Sequence, residues 1–303
     1  MMPAAIALRQ TVRLLAVLLG MLAVGPLCGE PASPDANMET VVSRLLGQMT
    51  LEEKIGQLNL LSTGFDVTGP VVSKNVEASV RRGLAGEVFN LYTVARVREL
   101  QEVAVRESRL HIPLLFGYDV IHGHKTTFPI PLALACTWNL DLIEKSARVA
   151  ATEASADGIT WTFSPMVDLA RDPRWGRIAE GAGEDTYLGA LIARAMVRGY
   201  QGDDLARSDS VLACVKHFAL YGAVEAGRDY NPADISRLTM FQYYLPPYHA
   251  AIEAGAGSVM AAFNEVEGVP ATGNRWLLND VLRQKWGFQG FVVSDYTAIN
   301  EMT

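Results

Sequence analysis

Several short apolar runs in this sequence stop at residues able to do chemistry. Phe291-Val292-Val293 ends at Ser294-Asp295, Val211-Leu212-Ala213-Cys214-Val215 ends at Lys216-His217, and Phe116-Gly117-Tyr118 ends at Asp119. A carboxylate delivered to the C-terminal end of a strand is how a barrel enzyme presents a nucleophile, which makes Asp295 the first candidate. The same residue could instead cap a helix formed by Thr297 to Met302. Lys216-His217 is a weak signal in isolation, because a histidine there could equally be a satisfied core residue. A further group, Arg171-Asp172-Pro173-Arg174-Trp175-Gly176-Arg177 with Glu180, Glu184 and Asp185 behind it, has the charge alternation of a loop tied by ion pairs.

The elements that must position these groups alternate along the chain. Strand candidates are Leu58 to Leu61, Gly86 to Phe89, Pro113 to Tyr118, Thr160 to Ser164, Leu212 to Lys216, Ser258 to Phe263 and Phe291 to Ser294. Between them lie helical patterns at Val94 to Arg109, Leu140 to Asp157, Asp185 to Gln201, Gln242 to Gly255 and Leu277 to Lys285. Strand then helix, repeated, predicts an α/β fold with a parallel sheet. Polar residues end many strands (Asn90, Asp119, Lys216-His217, Asn264, Asp295), which fits a (β/α)8 TIM-type barrel better than a doubly wound sheet with one switch point. An eighth strand is not visible, so the barrel is expected to be truncated before its last strand. Thr50 and Glu53 have capping-box spacing at a helix start, and the folded domain is expected over 38–303.

Of the 303 residues, 50% are hydrophobic and the formal net charge is −7, which indicates a globular chain with no electrostatic footprint for a nucleic-acid partner. Arg9 and Arg13 precede the apolar stretch Leu14 to Gly25, so residues 1–29 read as a secretory signal peptide, and 30–37 as a Pro-rich linker. The uncharged run is short for a bilayer span and holds Gly20, Gly25 and Pro26, which disfavours a membrane anchor. Leu27 is too large for the small-residue slot before a lipidated Cys28. Export implies a periplasmic or secreted protein without stable membrane insertion after cleavage. Cys136 and Cys214 lie in apolar segments and are expected to be buried free thiols.

The run Val281-Leu282-Arg283-Gln284-Lys285-Trp286-Gly287-Phe288-Gln289-Gly290-Phe291-Val292-Val293-Ser294-Asp295 resembles the nucleophile signature of glycoside hydrolase family 3. The resemblance extends in order over residues 50 to 303 and is nearest to the bacterial periplasmic β-glucosidase type. It implies that Asp295 is the catalytic nucleophile of an exo-acting retaining β-glucosidase that hydrolyses terminal non-reducing β-D-glucosyl residues of glucosides or oligosaccharides. It further implies sugar-binding roles for Asp119, for Arg177 as the last arginine of its loop, for Lys216 and His217, for Arg228 in the segment after the pair, and for Met260 and Phe263. A guanidinium suits such a role because its donor fork can hold two oxygens at once. No cofactor and no metal are implied. In the family the general acid comes from a following α/β domain, so residues 30 to 303 alone are expected to lack ordinary turnover, and the two unpaired edges of a seven-stranded open barrel are expected to make them aggregate. One departure is Tyr296, where many members carry Trp. β-Xylosidase or α-arabinofuranosidase action is the nearest rival within the family.

Two readings from other classes stay open at this point. Asp119, His122, His124, Lys216, His217, His249 and Asp295 could belong to a metal-dependent amidohydrolase barrel, although metal sites need ligands converging on one centre, and His249 sits in a helical pattern. A sugar-binding protein that has lost catalysis is disfavoured by the presence of Asp295.

Overall fold

The computed structural model describes residues 34–63 and 73–303, so the expected signal peptide lies outside the described residues. The chain divides into two compact units, Met1–Thr50 and Leu51–Thr303. In the first, the helix Pro34–Gln48 begins inside the stretch expected as a linker. Proline is compatible with a first helical turn, where its missing N–H would have had no partner.

The second unit is built on seven strands: β1 Leu60–Ser62, β2 Glu87–Phe89, β3 Leu115–Tyr118, β4 Trp161–Thr162, β5 Leu212–Phe218, β6 Ser258–Ala261 and, after a short hairpin of β7 Glu265–Val266 with β8 Val269–Pro270, β9 Phe291–Ser294. They form one sheet in the order β1-β2-β3-β4-β5-β6-β9, and every neighbouring pair is parallel. Spatial order follows chain order with no reversal, so the sheet has no switch-point crevice of the doubly wound kind. Helices Val76–Arg81, Val94–Glu102, Leu140–Ala156, Thr186–Gln201 and Pro246–Glu253 occupy connections between strands. The helical pattern Leu277 to Lys285 winds as a π-helix over Trp276–Lys285. Thr160 to Ser164 shortens to two strand residues, while β5 runs two residues past Lys216.

Period-two alternation sorts the strand side chains onto two faces. Phe89, Trp161, Phe163, Cys214 and Met260 form one buried cluster, joined by Leu60, Leu212, Phe291, Val293 and Tyr296. Because this cluster receives side chains from both the first strand and the last, the sheet curls around it. The alternate residues, such as Val88, Val215 and Val259, pack on the other face against the helices. Gly117 shows the tightness of the interior: a Cβ there would stand 2.7 Å from the Phe163 ring. Glu87 shares the inward phase of Phe89, and burial pushes its carboxyl up to about 7. Cys214 is buried as expected and its thiol is pushed up to about 12 by burial, whereas Cys136, expected to be buried, is exposed; both are free.

Candidate active site

The inward phase carries past the strand ends to the site. Asp119 stands two residues after Gly117, Lys216 two after Cys214, and Asp295 two after Val293, so all three side chains crown the interior cluster. Lys216 Nζ donates to Asp119 Oδ1 at 2.9 Å, with the Lys216 side chain only 5% exposed. Burial disfavours the ammonium charge, but the Asp119 carboxylate outweighs it and holds Lys216 above its ordinary value. Asp295 Oδ1 accepts from the Tyr296 N–H at 2.7 Å. Its Oδ2 is buried without a hydrogen-bond partner among the described residues, and His217 Nε2 faces it at 3.6 Å.

Regular alternation would send consecutive residues Lys216 and His217 to opposite faces. The register against β6 prevents this: Val215 pairs with Val259 and Phe218 with Ala261, so β5 carries an extra residue in this interval. Such an irregularity re-aims side chains. Phe218 consequently packs with the helix-side cluster, while both Lys216 and His217 reach the strand-end site.

Arg177 grips Glu180 through two bonds, Nε to Oε1 at 2.6 Å and Nη2 to Oε2 at 2.8 Å. Its guanidinium carbon also lies 5.5 Å from the centre of the Tyr221 ring, a cation–π distance. Burial works against both charges of the pair. Their mutual hydrogen bonds prevail, so Arg177 is held above its ordinary range and Glu180 below. In the same loop Arg174 pairs with Asp172, whose carboxyl is lowered to about 2 by that side-chain bond. Asp185, expected to face the arginines, instead caps the helix Thr186–Gln201 by accepting from Leu188 N at 2.7 Å.

The remaining expected residues divide. Phe263 is half-buried, 4.9 Å from Tyr230 and 5.8 Å from Tyr221 between ring centres. Met260 lies in the interior cluster beneath the site, and Tyr296 stacks edge-on to Phe89. Arg228 is exposed, and its side chain makes no hydrogen bond or ion pair among the described residues; the neighbouring Asp229 turns inward to take the Trp175 indole N–H. His124 binds Asp157 at 2.8 Å, His122 lies 2.8 Å from the Phe128 carbonyl and His249 packs on Trp286, so these histidines do not converge on Asp295.

Sequence reasoning missed Asp168, Tyr248 and Tyr221. Asp168 is fully buried and follows the short apolar pair Met166-Val167, six residues beyond the end of β4, a weaker form of the signal that marks Asp119 and Asp295. Its Oδ2 accepts from His217 N at 2.8 Å and lies 2.9 Å from His217 Nδ1, and its Oδ1 accepts from the Tyr248 hydroxyl. The Tyr221 hydroxyl is buried beside Arg177, and burial, followed by the charge of Asp229, raises its pKa.

This arrangement of a strand-end carboxylate, a half-buried Lys–Asp pair, an imidazole and a fork-held arginine accompanies clear kinship. The chain is 48% identical over 272 residues to the periplasmic β-glucosidase of Salmonella typhimurium, an alignment covering 90% of this chain and 35% of that protein. It is 33% identical over 267 residues to a β-xylosidase of Formosa agariphila, covering 82% and 37% respectively. The crystal structure of a β-glucosidase from Listeria innocua in complex with isofagomine superposes with a TM-score of 0.82 at 48% identity, over 87% of this chain and 37% of that one. The chain thus spans little more than a third of the length of these relatives. The profile of the glycosyl hydrolase family 3 N-terminal domain matches residues 50–303, and the chain belongs to that family.

Proposed function

We propose that the protein is a retaining, exo-acting β-glucosidase with Asp295 as nucleophile. The observation that carries the reading is the buried Asp295 Oδ2, without a hydrogen-bond partner among the described residues, at the crown of the interior cluster, beside His217 and the Lys216–Asp119 pair. Asp295 attacks the anomeric carbon as the glycosidic C–O bond breaks and an acid protonates the leaving oxygen. Water then cleaves the glycosyl ester, releasing glucose and restoring the carboxylate. Asp119, Arg177, Lys216 and His217 hold hydroxyls of the terminal sugar, with Met260 and Phe263 lining the pocket. Arg228 joins them only if its exposed side chain turns inward on binding.

A retaining site needs a second carboxyl group about 5 to 5.5 Å from the nucleophile. Asp119, Asp168 and Glu180 are already committed to Lys216, His217 and Arg177. We therefore assign the general acid to an α/β domain following residue 303, and with it the completion of a (β/α)8 barrel; the greater length of the relatives supports both. On this reading residues 1–29 are a signal peptide, the barrel domain spans 38–303, and the mature enzyme is periplasmic or secreted. The name of the Salmonella relative supports that location, and no helix among the described residues is long and apolar enough to cross a membrane.

Kinship to the Formosa β-xylosidase favours pentoside hydrolysis as the second reading. A panel of aryl β-glycosides assayed with the full-length enzyme separates the two. Glucoside preference supports the proposal, and a higher kcat/KM on xylosides or arabinosides overturns it.

A further inference from the structure

We infer that Asp168 is a positioning residue that sets the tautomer and ring orientation of His217, so that Nδ1 carries a proton and Nε2 faces the reaction site. The inference rests on the proposed role of the Asp295 pocket and adds to it a residue buried behind the sugar-contacting groups.

The hydrogen-bond directions follow from the donors. The His217 backbone N–H can only donate, so Asp168 Oδ2, 2.8 Å away, is an acceptor. The same oxygen lies 2.9 Å from Nδ1, which must then be the protonated ring nitrogen. Asp168 Oδ1 is occupied by Tyr248, whose hydroxyl also stands 2.7 Å from the His217 carbonyl. Burial, together with the adjacent Asp168 charge, keeps that hydroxyl well above its usual pKa and therefore a proton donor. Both oxygens of Asp168 are thus engaged by His217 and Tyr248. The His217 side chain is 1% exposed and that of Asp168 0%, so solvent cannot substitute for these bonds. Nε2 is left pointing at Asp295 Oδ2, 3.6 Å away and without a hydrogen-bond partner among the described residues.

Three elements meet here. The backbone after β4 runs beside β5, with Met166 bridging Lys216 and Val167 N donating to Lys216 O at 2.8 Å, which brings Asp168 against His217. Tyr248 arrives from the helix Pro246–Glu253. The trio ties the register irregularity of β5 to the helix layer, and this decides where the imidazole points.

The test uses full-length enzyme and four variants, Asp168→Leu, Asp168→Asn, His217→Ala and Asp168→Leu with His217→Ala. Leucine removes the acceptor, and kcat/KM is expected to fall about a hundredfold, the scale of a misplacement of about 1 Å. Asparagine can place its amide oxygen where Oδ2 stands and turn its NH2 to Tyr248, so it should retain most of the activity. In the His217→Ala background, Asp168→Leu should add little, because a residue that acts through another shows strong coupling in a double-mutant cycle. Equal losses for Asn and Leu, or an undiminished loss from Asp168→Leu without His217, overturn the inference. If the leucine variant does not fold, 15N-histidine labelling of the wild-type enzyme still decides. A solvent-protected Nδ1–H proton signal from His217 is expected, and a His217 protonated only at Nε2 overturns the assignment. Full activity of His217→Ala alone would instead remove the sugar-site reading, with the labelling result unaffected.

Discussion

Asp295 Oδ2 and His217 Nε2 face each other at 3.6 Å, beyond hydrogen-bond reach, and the carboxylate oxygen accepts no other bond from the described residues. A buried acceptor without a partner is costly, roughly 1–3 kcal/mol, and is retained where something else is to meet it. In a glycosidase that something is the anomeric carbon. Asp295→Ala in the full-length enzyme should therefore reduce kcat by at least about a thousandfold, equivalent to about 4 kcal/mol. A folded variant turning over glucosides near the wild-type rate would remove Asp295 from the nucleophile role.

Asp119 and Lys216 should fail together. Asp119→Ala leaves an ammonium 5% exposed without its carboxylate, a change that costs roughly 3 kcal/mol of stability. On the proposed function it also removes an acceptor for sugar hydroxyls, so kcat/KM should drop for a glucoside much more than for its 4,6-dideoxy analogue. An unchanged ratio between the two substrates would mean that Asp119 does not read those hydroxyls.

Arg177→Lys keeps the charge but loses the two-toothed grip on Glu180. The single ammonium cannot reproduce the planar fork, so KM should rise by roughly tenfold or more even though the site's net charge is conserved. Wild-type KM in the lysine variant would show that charge alone suffices there.

Glu87 links stability to pH in the unusual direction for a carboxylate. Burial raises its folded-state value from 4.5 to about 7, so the folded state binds the proton more tightly than the unfolded one. Its contribution is complete below about pH 4.5 and is lost as pH rises through about 7, by at most about 3 kcal/mol because the group is not fully buried. Glu87→Gln should flatten that part of the pH dependence and raise the melting temperature relative to wild type at pH 8. Parallel melting curves for the two proteins from pH 5 to 8 would contradict the assignment.

Gly117→Ala places a methyl 2.7 Å from the Phe163 ring and 3.2 Å from Trp161. Both rings are buried in the interior cluster, so overpacking should destabilise the unit by about 1–3 kcal/mol. Because Gly117 is two residues from Asp119, the strain should also weaken sugar binding. Chemical denaturation with and without a glucose-mimicking inhibitor measures both effects.

What could be read from the sequence by itself is what repeats locally. Alternation with a period of two marked the strands, and because Asp119, Lys216 and Asp295 each sit two residues beyond an inward-facing strand residue, their convergence was already encoded in the pattern. Tertiary structure alone decided the rest. His217 breaks the alternation, and only its register against Val259 and Ala261 brings it to the site beside Lys216. Asp168 and Tyr248 meet across 80 residues of chain, a contact with no local signature. The same holds for the exposure of Cys136 and the turning of Asp185 from the arginines to a helix cap. Local periodicity reports which way a side chain points from its own strand, whereas partners are chosen by whatever other elements pack there, and those contacts exist only once the sheet has curled.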